Sequence, residues 1–232
     1  STVVVRLPRS EVITTANIRP GQVIVGLSSS GRTTYETSEN SGIGSNGLTA
    51  ARHLLLHSDY RSRYPESYSD TLDSTKAYCG NYHLEDRLPG STLTAGEAIL
   101  SPTRTYLPVI REILAAHRSE IAAIIHCTGG GQVKCRDFGS GVRYVKDNLF
   151  PSPSIFTAIQ ESGQISSAEM YQVFNMGHRL ELYCNEASAA AIISAAAQFD
   201  LEARIVGHVE ASPVPDRNEV IIKAAGEEHR YI

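Results

Sequence analysis

The sequence lacks the marks of several function classes. No apolar run approaches the roughly 18 residues that a membrane-crossing helix needs. Ala187–Ala197 is Ala-rich, but it is short and follows a polar start. The opening STVVVRLPRS has none of the charged-then-apolar order of a secretory signal. There is no positive excess either. The formal net charge is −4, so bulk electrostatics gives no pull toward nucleic acid or an acidic membrane, and only locally basic phosphate sites stay open. Cys79, Cys127, Cys135 and Cys184 lie far apart with no CxxC pair. That argues against a zinc site, no metal ligand is assigned, and reduced thiols in a cytoplasmic protein are the simplest reading. The dinucleotide fingerprint GxGxxG is absent, as is the Gly-Lys-Ser/Thr of a Walker A loop.

What is present is ordinary globular material. Of 232 residues, 41% are hydrophobic and 20% charged, enough for one large domain, or a domain plus a fragment, with a packed core. The most informative stretch is Ile121–Gly131, IAAIIHCTGGG. Its apolar part has the length of a buried strand, and it ends in three glycines, which suit positive φ or close approach to another group. Bare backbone N–H groups beside His126 and Thr128 make a candidate anion site; the plainer reading is a tight turn. Cys127 beside them is either a reactive thiol or, more simply, a buried structural one.

A second such loop precedes it. Gln22–Leu27 reads as a strand entering the turn Ser28–Gly31, and Arg32–Gly44 is a polar loop. Ser45-Asn46 then caps a helix over Leu48–Leu56. Strand, Gly/Ser loop and helix N-terminus form a phosphate-binding geometry, or an ordinary strand-to-helix connection. Asp59–Gly90 has no clear period and reads as a long surface excursion. Ser101-Pro102-Thr103 opens a second helix, with Tyr106, Val109, Ile110, Ile113, Leu114 and His117 on its stripe. Val142–Val145, His178–Cys184, Ala203–Val209 and Glu219–Lys223 read as strands. Ser154–Glu161, a helix opened by a capping box at Ser166–Glu169, and an Ala-rich helix capped by Asn185 complete the pattern. Interleaved helices and strands predict an α/β (α+β) protein, a mixed β-sheet flanked by helices.

Five segments in order resemble aminoimidazole ribonucleotide synthetase, the phosphoribosylformylglycinamidine cyclo-ligase family of purine synthesis. They are RPGQVIVGLSSSG (19–31), SNGLTAAR (45–52), TAGEAILSPTRTYLPVI (94–110), HCTGGG (126–131) and FPSPSIFTAIQESGQISSAEMYQVFNMGHRLEL (150–182); IVGHV (205–209) matches the end of the domain. FNMG and SPTRTY distinguish the cyclo-ligase from relatives such as selenophosphate synthetase, thiamine-monophosphate kinase, the longer formylglycinamidine ribonucleotide synthetase and a hydrogenase-maturation protein.

The resemblance covers the C-terminal lobe only. It implies that 19–232 is that lobe and that 1–18, opening on the strand-like Thr2–Leu7 without an initiator Met, is a remnant of the N-terminal lobe and linker. It implies an ATP-dependent ring closure of formylglycinamidine ribonucleotide, inactive in the lobe alone. Mg-ATP would be held mainly by the N-terminal lobe, and the full-length protein would be a homodimer. By the same resemblance Ser28, Ser29, Ser30, Gly31, Ser45, Asn46, Gly47 and Thr103 line the cleft for a phosphate. Arg104 would clamp it or else form a surface salt bridge, and His126, Thr128, Gly129, Gly130 and Gly131 would form a third wall, with His126 donating to a developing anion or only capping the strand end, shaped by Asn175 and Gly177 with Met176 in the core. Arg104 and His126 are the candidate catalytic residues. One departure stands out: where the family reads His-Ser-Asn-Gly, this chain has Gly44, and Arg32–Ile43 looks inserted. Tyr35, Glu36 and His53 are candidates to replace the imidazole, and the insertion is a candidate lid. The alternatives are another ATP-dependent enzyme of the superfamily and a non-catalytic phosphoribosyl-binding module.

Overall fold

A computed structural model describes residues 2–45 and 47–232. In chain order the strands are β1 Val23–Ser28, β2 Ile121–His126, β3 Val142–Lys146, β4 His178–Cys184, β5 Ala203–Ala211, β6 Glu219–Ala224 and β7 Glu227–Tyr231. The helices are α1 Leu48–Leu55, α2 Asp59–Arg63, α3 Ala95–Leu100, α4 Leu107–His117, α5 Ser154–Gly163, α6 Ser167–Val173 and α7 Glu186–Ala197. The strands form one sheet in the order β2-β4-β1-β5-β3-β6-β7. All pairs are antiparallel except β3 with β6, so the expected mixed sheet with helices is what the chain forms.

β1 and β4 are buried at every position because both faces of the sheet are covered. Alternation sorts their side chains. Val23, Val25 and Leu27 join Leu180 and Leu182 against α4 and α7. Ile24 points the other way, into a core with Ala123, Tyr144, Tyr183 and Val206. A third core gathers Leu55, Ile99, Phe156 and Met170 with Tyr60, Tyr78 and Leu88. The last three belong to the stretch read as a surface excursion, which is instead partly packed inside.

The antiparallel pairing decides where the loops meet. Ser28, at the end of β1, sits opposite His178, and His126, at the end of β2, sits opposite Leu180. The loops after β1 and β2 and the one before β4 therefore share one end of the sheet.

Several local expectations change. α4 begins at Leu107, with Pro108 in its first turn, because residues 101–105 are tied by hydrogen bonds to residues 35–45. Asn40 Nδ2 donates to the Pro102 carbonyl at 2.9 Å, and Tyr35 Oη donates to the Thr105 carbonyl at 2.9 Å. Only half of the box at Ser166 forms, with its Oγ accepting from the Glu169 N–H at 3.2 Å, and the Asn185 side chain makes no cap bond. A full capping box forms instead at Thr94 and Glu97. Val3–Leu7 belongs to no strand; Val3, Val4, Val5 and Leu7 are exposed.

Candidate functional site

The polar loops at the sheet end are knitted by one buried side chain. Asn175 Oδ1 accepts from Ser29 Oγ at 2.7 Å and from the Gly177 N–H at 3.1 Å, while Asn175 Nδ2 donates to the Gly42 carbonyl at 2.8 Å. Gln132 Nε2 reaches the Asn175 carbonyl and donates to the His178 carbonyl at 2.9 Å. Three segments far apart in sequence are thus fixed to one another. Asn175 and Gln132 spend their amides internally, so they hold geometry. Met176 is buried in the helical core, as expected.

Arg104 is buried and fully engaged. Its Nε and Nη2 donate to the two Glu36 oxygens at 2.9 and 2.8 Å, and its remaining N–H groups donate to the carbonyls of Ser28, Ser30 and Gly31 at 2.7–3.0 Å. A guanidinium has five N–H donors, and this geometry uses all five within the chain. The Arg32–Ile43 segment is stitched down by the same contacts. Gly31 and Asn40 exchange two backbone bonds at 2.9 Å, and Thr33, Asn40, Ser41 and Ile43 are buried. It is a packed loop, not a free lid.

The two Gly-rich loops differ as anion receptors. In the first, the Ser30 N–H is taken by Ser28 Oγ at 3.3 Å and the Gly31 N–H by the Asn40 carbonyl at 2.9 Å. In the second, among the described residues, the N–H groups of Gly129 and Gly130 have no hydrogen-bond partner. Gly129 is exposed, and both glycines line a cavity of about 260 Å³ together with Lys134, Arg136, Asp137 and Gln172, Asp137 being paired with Lys134 at 3.0 Å. Ser30 and Gly31 line a separate cavity of about 240 Å³ with Asn40, Ser41 and Pro153. Ser45 and Thr103 form an exposed pair, the Ser45 N–H donating to Thr103 Oγ1 at 3.1 Å. Gly47 begins α1 at φ +76 with Phe174 against it. Asn46 lies outside the described residues.

The glycines of the second loop are not equivalent. Gly131 has φ +52, and a Cβ there would lie 2.5 Å from the Phe174 carbonyl oxygen; Gly129 has φ +64 and open space around it. Gly131→Ala is expected to cost roughly 2–5 kcal/mol, the sum of a left-handed residue and an overpacked one, and Gly129→Ala only about 1–2 kcal/mol. Urea unfolding of the two variants checks this, and equal costs would refute it.

His126 closes β2 half-buried, its ring 6.4 Å from that of Tyr106. Burial first, and then the Arg179 cation, hold its imidazole below the ordinary histidine value. It is therefore neutral near pH 7 and able to donate one proton in a hydrogen bond. Cys127 is buried, and burial pushes its thiol well up, which makes it structural, not reactive.

Beneath these loops lies a polar network that sequence reading missed. Lys146 and Glu181 are completely buried and paired at 2.5 Å; Lys146 Nζ also donates to the Gln132 carbonyl at 2.6 Å. Tyr183 Oη donates to the other Glu181 oxygen at 2.7 Å, and His178 Nε2 lies 2.9 Å from the first. A signal was available: HRLELYC carries His178, Arg179 and Glu181 inside a strand that must be buried to join its neighbours. The replacements proposed for the missing imidazole do not stand there. Glu36 is on Arg104, Tyr35 is on Thr105, and His53 packs between Tyr68 and Tyr78.

The loop cluster does not fit a magnesium ion on its own. Mg²⁺ binds through oxygen, usually with one or two carboxylates; here Glu36 has both oxygens on Arg104, Asp137 beside the second loop is paired with Lys134 at 3.0 Å, and Glu39 beside the first accepts from Thr92 Oγ1 at 2.8 Å. Among the described residues two other sets could gather a metal. Cys127, His178 and Glu181 already have the Lys146 ammonium on the carboxylate, and His57, Asp59 and His83 lie in the segment between α1 and α3.

Comparison with known proteins agrees with this architecture. Residues 19–217 match the family model described as AIR synthase related protein, C-terminal domain. The phosphoribosylformylglycinamidine cyclo-ligase of Methanopyrus kandleri is 35% identical over 198 residues, 85% of this chain and 46% of that protein. The enzyme of the same name from Methanocaldococcus jannaschii is 30% identical over 223 residues, 96% of this chain and 54% of that protein. The chain therefore spans about half the length of the curated relatives it matches. Among solved structures, hydrogenase maturation protein HypE in complex with ATP superposes with a TM-score of 0.50 over 94% of this chain and 52% of that one. At 13% identity that likeness speaks for the fold alone.

Proposed function

The chain belongs to the AIR synthase related family, matching its C-terminal domain, and from that premise we propose that it is the C-terminal half of an ATP-dependent phosphoribosylformylglycinamidine cyclo-ligase. The observation that carries the reading is the Asn175 cross-link. It joins the first loop, the FNMG segment and, through Gln132, the turn after the glycines into one rigid polar rim.

In this reaction ATP phosphorylates the formamide oxygen of formylglycinamidine ribonucleotide, which turns oxygen into a phosphate leaving group. An internal nitrogen then attacks and closes the imidazole ring. Catalysis of that kind rests on positioning and charge stabilisation. The unpartnered N–H groups of Gly129 and Gly130 receive an anionic oxygen, neutral His126 and Thr128 donate beside them, and Ser45 and Thr103 offer hydroxyls on the exposed rim. Arg104, Asn175, Gly177, Ser28 and Ser29 hold these groups in place. Mg²⁺ and most of the ATP contacts fall to an N-terminal lobe, with 1–18 as the link to it. Leu100 and Leu107 flank the 101–106 segment at 82% and 71% exposure, and such apolar surface beside a site suits a partner lobe.

The test is aminoimidazole ribonucleotide formation from formylglycinamidine ribonucleotide, ATP and Mg²⁺. The chain is assayed alone and within its full-length gene product. Turnover is expected only in the full-length protein. A folded full-length protein that binds these ligands without turnover would instead favour a binding module.

A further inference from the structure

Position 44 explains its own departure from the family motif. A Cβ on Gly44 would lie 1.7 Å from Arg179 Nη1, 1.8 Å from Nη2 and 2.0 Å from Cζ. The Arg179 guanidinium fills the space that a side chain at 44 would need, so histidine at 44 and this placement of Arg179 exclude each other. Arg179 Nη2 donates to the Ile43 carbonyl at 2.7 Å and lies 3.3 Å from the Gly42 carbonyl.

The charge state of this arginine is the second observation. Arg179 is 3% exposed, and its Nε is buried with no hydrogen-bond partner among the described residues. Among those residues it also forms no ion pair, whereas Arg104 has Glu36. The ionisable groups around it are His126, Tyr106, Cys127 and Arg104. The first three are neutral at ordinary pH and the fourth is a like charge. A buried cation with no counter-charge is unfavourable unless an anion joins it, and a guanidinium keeps its proton throughout.

The geometry points to Arg179 as the cation that holds a phosphoryl group at this rim, standing in for the imidazole that Gly44 lacks. This rests on the reading of the rim as a site for phosphorylated ligands, and it goes further by naming the residue and the charge it supplies. The phosphoryl group belongs either to the ribonucleotide monoester or to ATP, and the binding arms separate the two.

The experiment is calorimetric titration of the full-length protein with formylglycinamidine ribonucleotide, with ATP and with inorganic phosphate. Wild type is compared with Arg179→Met, Arg179→Lys and the pair Gly44→His/Arg179→Met. Loss of one charge-assisted contact is expected to weaken one ligand by about 10- to 100-fold. Arg179→Lys should retain part of the affinity, and the pair should recover some of what Arg179→Met loses. Which ligand weakens identifies the phosphate. Circular dichroism and thermal unfolding confirm that each variant is folded; if Arg179→Met fails to fold, Arg179→Lys against the pair decides. Unchanged affinities for every ligand in folded variants would overturn the assignment and leave the cyclo-ligase reading intact. Failure of wild type to bind any of the three would overturn it as well. Arg179-dependent phosphate binding without turnover would uphold it and count against the cyclo-ligase reading.

Discussion

Lys146→Met is expected to lower stability by about 3–5 kcal/mol, because removing one partner of a buried ion pair leaves the other charge uncompensated. Glu181 would keep Tyr183 and His178 as neighbours, but neither brings a full positive charge. Burial acts against both charged forms here and is outweighed in both. The Lys146 and His178 contacts hold the Glu181 carboxyl well below its usual range. The acidic groups around Lys146, Cys135 and Glu181, hold its ammonium above its usual range. The signs set the pH window. A depressed carboxyl contributes stability above its unfolded pKa of about 4.3 and loses it as pH falls toward the folded value. A raised ammonium contributes below about 10.4 and loses it as pH rises through the folded value. Stability from this pair should therefore be flat between about pH 5 and 10 and fall on both sides. Urea unfolding across pH measures it. Lys146→Met/Glu181→Gln should recover part of the single variant's loss, and a single-variant cost below about 1 kcal/mol would contradict the network. The same loss should loosen the glycine loop, since Lys146 holds Gln132 and Gln132 holds Asn175.

Arg104→Met is the second large effect expected, about 2–4 kcal/mol, from an ion pair broken and carbonyls left without their donor. Ser28, Ser30 and Gly31 would each lose a bond, and Glu36 would lose two. Burial works against the Glu36 charge, and the Arg104 bonds hold its carboxyl below the usual value. Hydrogen exchange should show residues 28–43 opening at lower free energy than the rest of the sheet. If Arg104→Met instead kept full stability and lost only ligand affinity, Arg104 would be a ligand clamp and not the staple of the first loop.

These two networks show where sequence reading stopped. β1 and β2 were readable because an apolar run of strand length has few other folds open to it. α1 and α5 carried a helical stripe. β7, with EEHRY, carried no such signal, since an edge strand leaves its side chains to solvent and only Tyr231 is buried. α3 was overlooked although Thr94 and Glu97 spell a capping box. Ser101–Thr103 looked like a helix start, yet its hydroxyls and carbonyls bond across to residues 40–45. Such bonds join positions about 60 apart in the chain and leave no local pattern.

The sequence by itself determined that the chain folds as a mixed sheet with helices and that its glycine loops lie at strand ends. It also carried the family resemblance, because those properties live in periodicity, turn chemistry and short motifs. Only the tertiary structure decided what each polar residue does. Arg104 turned from clamp to staple because Glu36 and three carbonyls surround it. Arg179 became the uncompensated cation because Gly44 leaves it room and, among the described residues, no carboxylate reaches it. A guanidinium has the same chemistry in both places; its role is set by which charges and carbonyls the fold brings within hydrogen-bond reach, and that depends on antiparallel pairing between segments more than a hundred residues apart.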